Sequence, residues 1–160
     1  MTLLRRVLVT FALMFWVGGF TFYAAVVVPI GTEVLGGPAE QGEITRHVTK
    51  WLNVANAVAL VLWAWDLAAD RAPGRRQLVR WLLWAALAVM LGLLVWWHPQ
   101  MNSMLDPEDY RRHRAEFRRL HKSYLWVSTY QWCVALVLIF STLRTWRAND
   151  RQAGKATTHE

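Results

Sequence analysis

Four stretches of the chain, Val7 to Ile30, Trp51 to Trp65, Trp81 to Trp97 and Tyr124 to Leu143, contain no Asp, Glu, Lys, Arg or His. Lipid offers no hydrogen-bond partner to unpaired backbone, so apolar runs of this length are expected to cross a bilayer as helices. The pattern predicts spans at about 7–30, 51–69, 78–97 and 124–146. The connections carry their own periodicity. Gly36, Gly37 and Pro38 mark a break, after which Ile44, Val48 and Trp51 recur at i, i+4 and i+7 and lead into span two. Asp106 and Pro107, followed by Glu108 and Asp109, read as an N-cap, a proline at the first helical position and an acidic first turn. His113, Phe117, Leu120, His121 and Tyr124 then fall on one face running into span four, a helix of nearly forty residues and roughly 60 Å. The expected fold is all-α, an integral membrane four-helix bundle in a single domain over residues 1–147. Helices 2 and 4 extend beyond the membrane on one side, where their apolar stripes are expected to pack on each other. Residues 148–160 are polar and without apolar period, which predicts a disordered tail.

Composition refines this picture in three respects. The mean hydropathy of +0.18 is modest only because charged connections and a polar tail enter the average. Nine of the eleven tryptophans fall near span ends, with Trp51, Trp96, Trp97 and Trp126 at one level and Trp63, Trp65, Trp81, Trp84 and Trp146 at the other, which suggests two interfacial belts. The single cysteine, Cys133, reads as a small core residue, and with no second thiol there is no disulfide framework. Arg5 and Arg6 precede an apolar run too long for a signal peptide, so it reads as a retained span.

The amino terminus, the segment 66–80 and the carboxy tail share one side after an even number of crossings, and they hold ten of the 18 Lys and Arg residues. That bias predicts both termini in the cytoplasm of a bacterial inner membrane. The net charge of +7 is placed near span ends, where it suits the lipid bilayer and its anionic headgroups and not nucleic acid. Glycine-rich phosphate loops, nucleophile elbows and inverted repeats are absent from the sequence.

The candidate chemistry lies on the side away from the termini. His47, His98 and His121 each fall within roughly 8 Å of the outer tryptophan level, and Glu43 lies one turn before His47. Three imidazoles and a carboxylate form a candidate metal set, although equal depth also suits interfacial histidines that bind nothing. Asn53 and Asn56 can bond across helices or line a polar cavity, and a kink at Pro29 can open a pocket under Glu33. Gly18, Thr21 and Ala25 make a small-residue stripe for close helix approach, and Ser128 to Gln131 put hydrogen-bonding groups inside span four. Asp66 and Asp70 are expected to pair with Arg71, Arg75 and Arg76 as structural anchors.

Trp16-Val17-Gly18-Gly19, Val28-Pro29, and Phe117 with Leu120-His121 resemble an uncharacterised bacterial four-span membrane family related to a small eukaryotic four-span transmembrane protein. That resemblance implies a helical bundle and no particular reaction. The first helix is also similar to those of copper-resistance D-type membrane proteins and of the haem-binding membrane protoporphyrinogen oxidase, but it departs from the latter in having no histidine. Three functional classes follow. The first is non-enzymatic binding of a ligand or partner, in a homo-oligomer or larger membrane complex, through a polar His/Glu/Asn pocket. The second is an oxidoreductase or metal-handling protein with a transition metal or haem at His47, His98 and His121. The third is a small oligomeric transporter.

Overall fold

Helix α1 runs from Thr2 to Val34 as α-helical segments Thr2–Leu13, Gly19–Phe22 and Val28–Val34, joined by π-helical turns at Met14–Gly18 and Tyr23–Val27. Helices α2 (Pro38–Ala69), α3 (Arg75–Ser103) and α4 (Pro107–Ala156) follow; the computed structural model describes residues 2–70, 74–104 and 107–156. All four are long and apolar enough to cross a bilayer, so the chain is an integral membrane four-helix bundle. Connections this short alternate the helix directions, leaving one end with both termini (the terminal end) and a far end.

The helix ends follow local chemistry. Gly36 and Gly74 adopt φ of +88° and +98°, a left-handed geometry that a Cβ disfavours, and each lies just before a helix start. Helix α2 opens with Pro38, whose missing N–H costs nothing there, and with Glu40 in the first turn. Pro107 likewise opens α4, whereas Asp106 lies outside the described residues. Pro29 lacks an N–H and its ring crowds the carbonyl of Ala25. The Tyr23–Val27 turn that contains Ala25 is widened to π geometry, which relieves that crowding.

Two boundaries differ from expectation. Helix α3 continues through Pro99 to Ser103, well past the apolar run. Helix α4 has 50 residues, about 75 Å at the usual rise, and extends to Ala156 through most of the polar tail. The expected disorder of 148–160 is corrected over that stretch, because Asp150 is held by Arg6 of α1 through two hydrogen bonds of 2.9 Å. At the other end of α4, His113 leaves helical geometry (φ −111°, ψ 19°), and its side chain is exposed.

Helix α1 packs along α2, α2 along α3, and α3 along α4. In contrast, α1 and α4 are joined chiefly by long side chains, Arg6 to Asp150 and the Trp132 Nε1 donating to Thr21 at 2.9 Å. The main core holds Val9, Leu13 and Trp16 of α1, Ala59, Leu60 and Trp63 of α2, Leu87 of α3, and Ala135 and Leu138 of α4. In α3 the buried residues are Arg80, Leu87, Leu94 and Met101, a seven-residue seam. Between apolar helices in lipid, packing and hydrogen bonds hold neighbours together. Accordingly Trp63 donates to Thr142 (3.1 Å), Trp84 to the Leu60 carbonyl (2.9 Å) and Gln131 to the Leu87 carbonyl (3.1 Å), each across a helix pair. Trp63 is fully buried, and Trp146 is drawn toward Asp66, so both turn into the bundle. Cys133 is exposed on the lipid-facing side of α4, not in the core.

The terminal end is closed by ion pairs. Arg80 and Asp66 are each 1% exposed and 3.3 Å apart. Asp66 also accepts from Arg5 (2.9 Å) and from Trp146 Nε1 (3.1 Å), and Arg80 pairs with Asp70. The partners of Asp66 are therefore Arg5 and Arg80, not the expected Arg75 and Arg76; Arg71 lies outside the described residues. All four helices meet at this carboxylate, which accepts from the buried Arg80, the part-buried Arg5 and Trp146.

Candidate functional site: a cavity at the far end

A cavity of about 360 Å³ opens among all four helices in the far half of the bundle. Its α1 wall includes Trp16 and Val17 from the first π turn and Tyr23 and Ala24 from the second. The two widened turns thus border the space. π turns at a binding surface are common, because a wider turn redirects side chains and spreads backbone groups.

The far-end extensions build the rest of the wall. They were expected to pack on each other, but each settles against its own hairpin neighbour. Gln41 of α2, 3% exposed, lies against Gly31 of α1, and its Nε2 donates to the Tyr23 hydroxyl (3.3 Å), which donates in turn to Thr45 (2.9 Å). Phe117 and Leu120 of α4 pack with Leu94, Met101 and Tyr124 in a second, smaller core shared by α3 and α4. The cavity lies between these two hairpins.

Of the sequence-predicted site residues, three line the cavity: Asn53, His98 and His121. Asn53 donates to the Tyr124 hydroxyl at 3.2 Å. His98 is a structural tie. Its Nε2 lies 3.1 Å from the Arg46 carbonyl, which only accepts, so Nε2 carries the proton. Its Nδ1 then accepts from Asn102 Nδ2 at 3.2 Å, one turn along the same helix. Both ring nitrogens are therefore engaged, Nε2 in linking α3 to α2 and Nδ1 within α3. His121 stands differently. Its ring lies nearly parallel to Phe117 (9°, centroids 5.7 Å apart), and its nitrogens have no hydrogen-bond partner among the described residues.

The remaining predicted residues lie elsewhere. His47 and Glu43 are exposed, with Glu43 paired to Arg46 at 3.0 Å, and neither lines the cavity. Glu33 is exposed, so the pocket near Pro29 opens on the Val28 and Thr32 face and not beneath Glu33. Asn56 is 1% exposed and sealed inside the bundle, where neither of its amide atoms has a partner. The expected metal set of His47, His98, His121 and Glu43 is not assembled: among the described residues no group of three or more His, Cys, Asp or Glu is arranged to hold a metal. The helical phase explains this. His47 sits two residues past Thr45 and two before Thr49, both of which face the cavity, so it projects from the opposite side of α2.

Sequence reasoning missed Gln41, Tyr23 and Asn102, whose polar groups shape the wall. The signal available was position: Gln41 and Thr45 are spaced i, i+4 on the face that also carries Thr49 and Asn53. Comparison with protein-family models, curated proteins and solved structures finds no match to this chain.

Proposed function

We propose that the chain is a non-enzymatic membrane protein that binds a small amphipathic molecule in its far-end cavity, with both termini in the cytoplasm of a bacterial inner membrane. One observation carries the reading: the cavity combines a continuous aromatic and aliphatic lining with hydrogen-bonding groups from all four helices, His121 among them with its nitrogens unspent. A membrane bundle that only needed stability would fill such a space, because the packing lost around a void is not recovered from lipid. Ligand pockets of this size are characteristically apolar with a few polar groups that fix orientation. The predominance of basic residues at the terminal end supports the orientation.

The test uses Gly42, which lines the cavity and where an added Cβ meets nothing within 4 Å. Gly42→Phe therefore puts a bulky ring at the cavity wall from a Cβ that itself displaces no neighbour. Mass spectrometry of solvent extracts from purified wild-type protein is expected to show a small molecule retained near one per chain and lost from Gly42→Phe. Identical extracts from two equally folded proteins would refute the reading.

A further inference from the structure

Below the cavity, a second space of about 400 Å³ opens along the seam between α1 and α4. It is lined by Leu13, Met14, Val17 and Gly18 on one side and by Ile139 and Leu143 on the other. Val17 is a wall of both spaces, so the apolar cleft begins where the polar-lined cavity ends. This seam is also where helix packing is loosest. We propose that the two spaces form one site for a neutral, single-tailed lipid with a planar head bearing carbonyl oxygens, of the quinone class, the head beside His121 and the tail in the α1–α4 cleft. The inference rests on the binding role proposed for the cavity.

Three features select that head. The first is charge. Arg46 is the single charged residue in the cavity wall among the described residues, and Glu43 already neutralises it, so a phosphate or carboxylate head would enter without a counter-charge. The second is the hydrogen-bonding inventory. His121, Tyr124 and Ser128 follow one another on the cavity face of α4, and none of the three donates a hydrogen bond among the described residues. His121 and Ser128 are seven residues apart, roughly 10 Å along the axis, so a ring with acceptor oxygens at opposite edges fits between them. The third is shape: Trp16, Phe20, Phe117 and Trp132 line the same space, and aromatic side chains favour contact with a flat ring.

The tail assignment rests on the cleft, which is almost wholly apolar and open toward lipid. Gly18 gives access to it experimentally, because a Cβ there meets nothing within 4 Å and its φ −67° and ψ −44° suit any L-residue, so Gly18→Leu adds an apolar side chain at the cleft wall.

Binding of 2-methyl-3-decyl-1,4-naphthoquinone and of tailless 2,3-dimethyl-1,4-naphthoquinone would be measured by calorimetry in nanodiscs, beside decyl phosphate and decanol. The decyl quinone is expected to bind saturably and at least tenfold more tightly than the other three. His121→Ala and, independently, Ser128→Ala should each weaken both quinones about tenfold. Gly18→Leu should weaken the decyl form to the level of the tailless one and leave the latter unchanged. Equal binding of decyl phosphate or decanol, abolished by Gly42→Phe, would overturn the quinone head while leaving the cavity a binding site. A decyl quinone indifferent to Gly18→Leu would overturn the tail placement. Failure of all four probes to bind would overturn the inference, and if Gly42→Phe also left the copurifying molecules unchanged, the binding role would fall with it.

Discussion

The two ends of this bundle treat buried polar groups in opposite ways. At the terminal end, Asp66, Asp70, Arg5 and Arg80 neutralise one another, and Trp146 and Asn149 add hydrogen bonds to the two carboxylates. At the far end the buried polar groups are incompletely paired: among the described residues the His121 nitrogens and the Ser128 hydroxyl have no hydrogen-bond partner, and Gln41 Oε1 is buried without one. A compensated charge cluster is rigid, since moving any member strands another in low dielectric. Neutral groups facing a cavity can exchange partners at little cost. The contrast is between a bundle clamped at one end and open at the other, with the cavity at the open end.

The largest effect is expected from breaking the clamp. Asp66→Ala leaves Arg80 and Arg5 without their shared acceptor and should cost about 3–5 kcal/mol, read from the unfolding midpoint in a denaturing-detergent titration. A loss below about 1 kcal/mol would show that the cluster is not a clamp. Next comes Gly31, where an added Cβ would lie 1.9 Å from Gln41 Oε1. Gly31→Ala should cost about 1–3 kcal/mol by forcing Gln41 from its place against α1. Adding Gln41→Ala should return most of that loss, whereas additive costs would remove Gln41 as the cause.

A change of opposite sign sharpens the comparison. Asn56 keeps two buried amide atoms without partners, a situation that costs about 1–3 kcal/mol. Asn56→Leu should therefore unfold at an equal or higher midpoint than wild type, and a clear loss would mean that the amide is paired in the membrane. The smallest effect belongs to Asp150, beyond the charge-free run of α4. The hydrogen bond from Arg6 holds its carboxyl below the ordinary range. Its contribution to stability is thus present above the ordinary carboxylate value and lost as pH falls through the lowered one. Wild type should lose slightly more stability on acidification than Asp150→Asn, and the difference should shrink in high salt because the pair is solvent-exposed.

How far the sequence was legible differs between fold and site. The absence of charge over four runs announced four crossings, and Gly36 and Gly74 mark the turns before α2 and α3. The facing of each helix was not legible in the same way. In water the apolar stripe points inward, but here both sides are apolar, and Phe11, Phe15, Val61, Leu82, Val89 and Phe140 are all exposed. The inner seam of α4 instead collects Tyr124, Ser128, Gln131, Ala135, Leu138 and Thr142, mostly residues with a hydrogen-bonding group, at alternating spacings of four and three. That phase leaves Cys133 off the seam and puts Thr142, the acceptor of Trp63, on it.

The chain by itself determined that it must be helical and membrane-spanning, because lipid satisfies no backbone hydrogen bond and a charge-free run of this length has no other stable form. It also determined the approximate level of each histidine along the bilayer normal, which follows from distance along a helix. Only the tertiary structure decided azimuth and pairing: that His121 faces a cavity while His47 faces away, that His98 is engaged at both nitrogens, and that Arg80 is drawn inside to meet Asp66. Rotation about a helix axis is set by contacts with the other three helices, several of them contributed by residues more than sixty positions away.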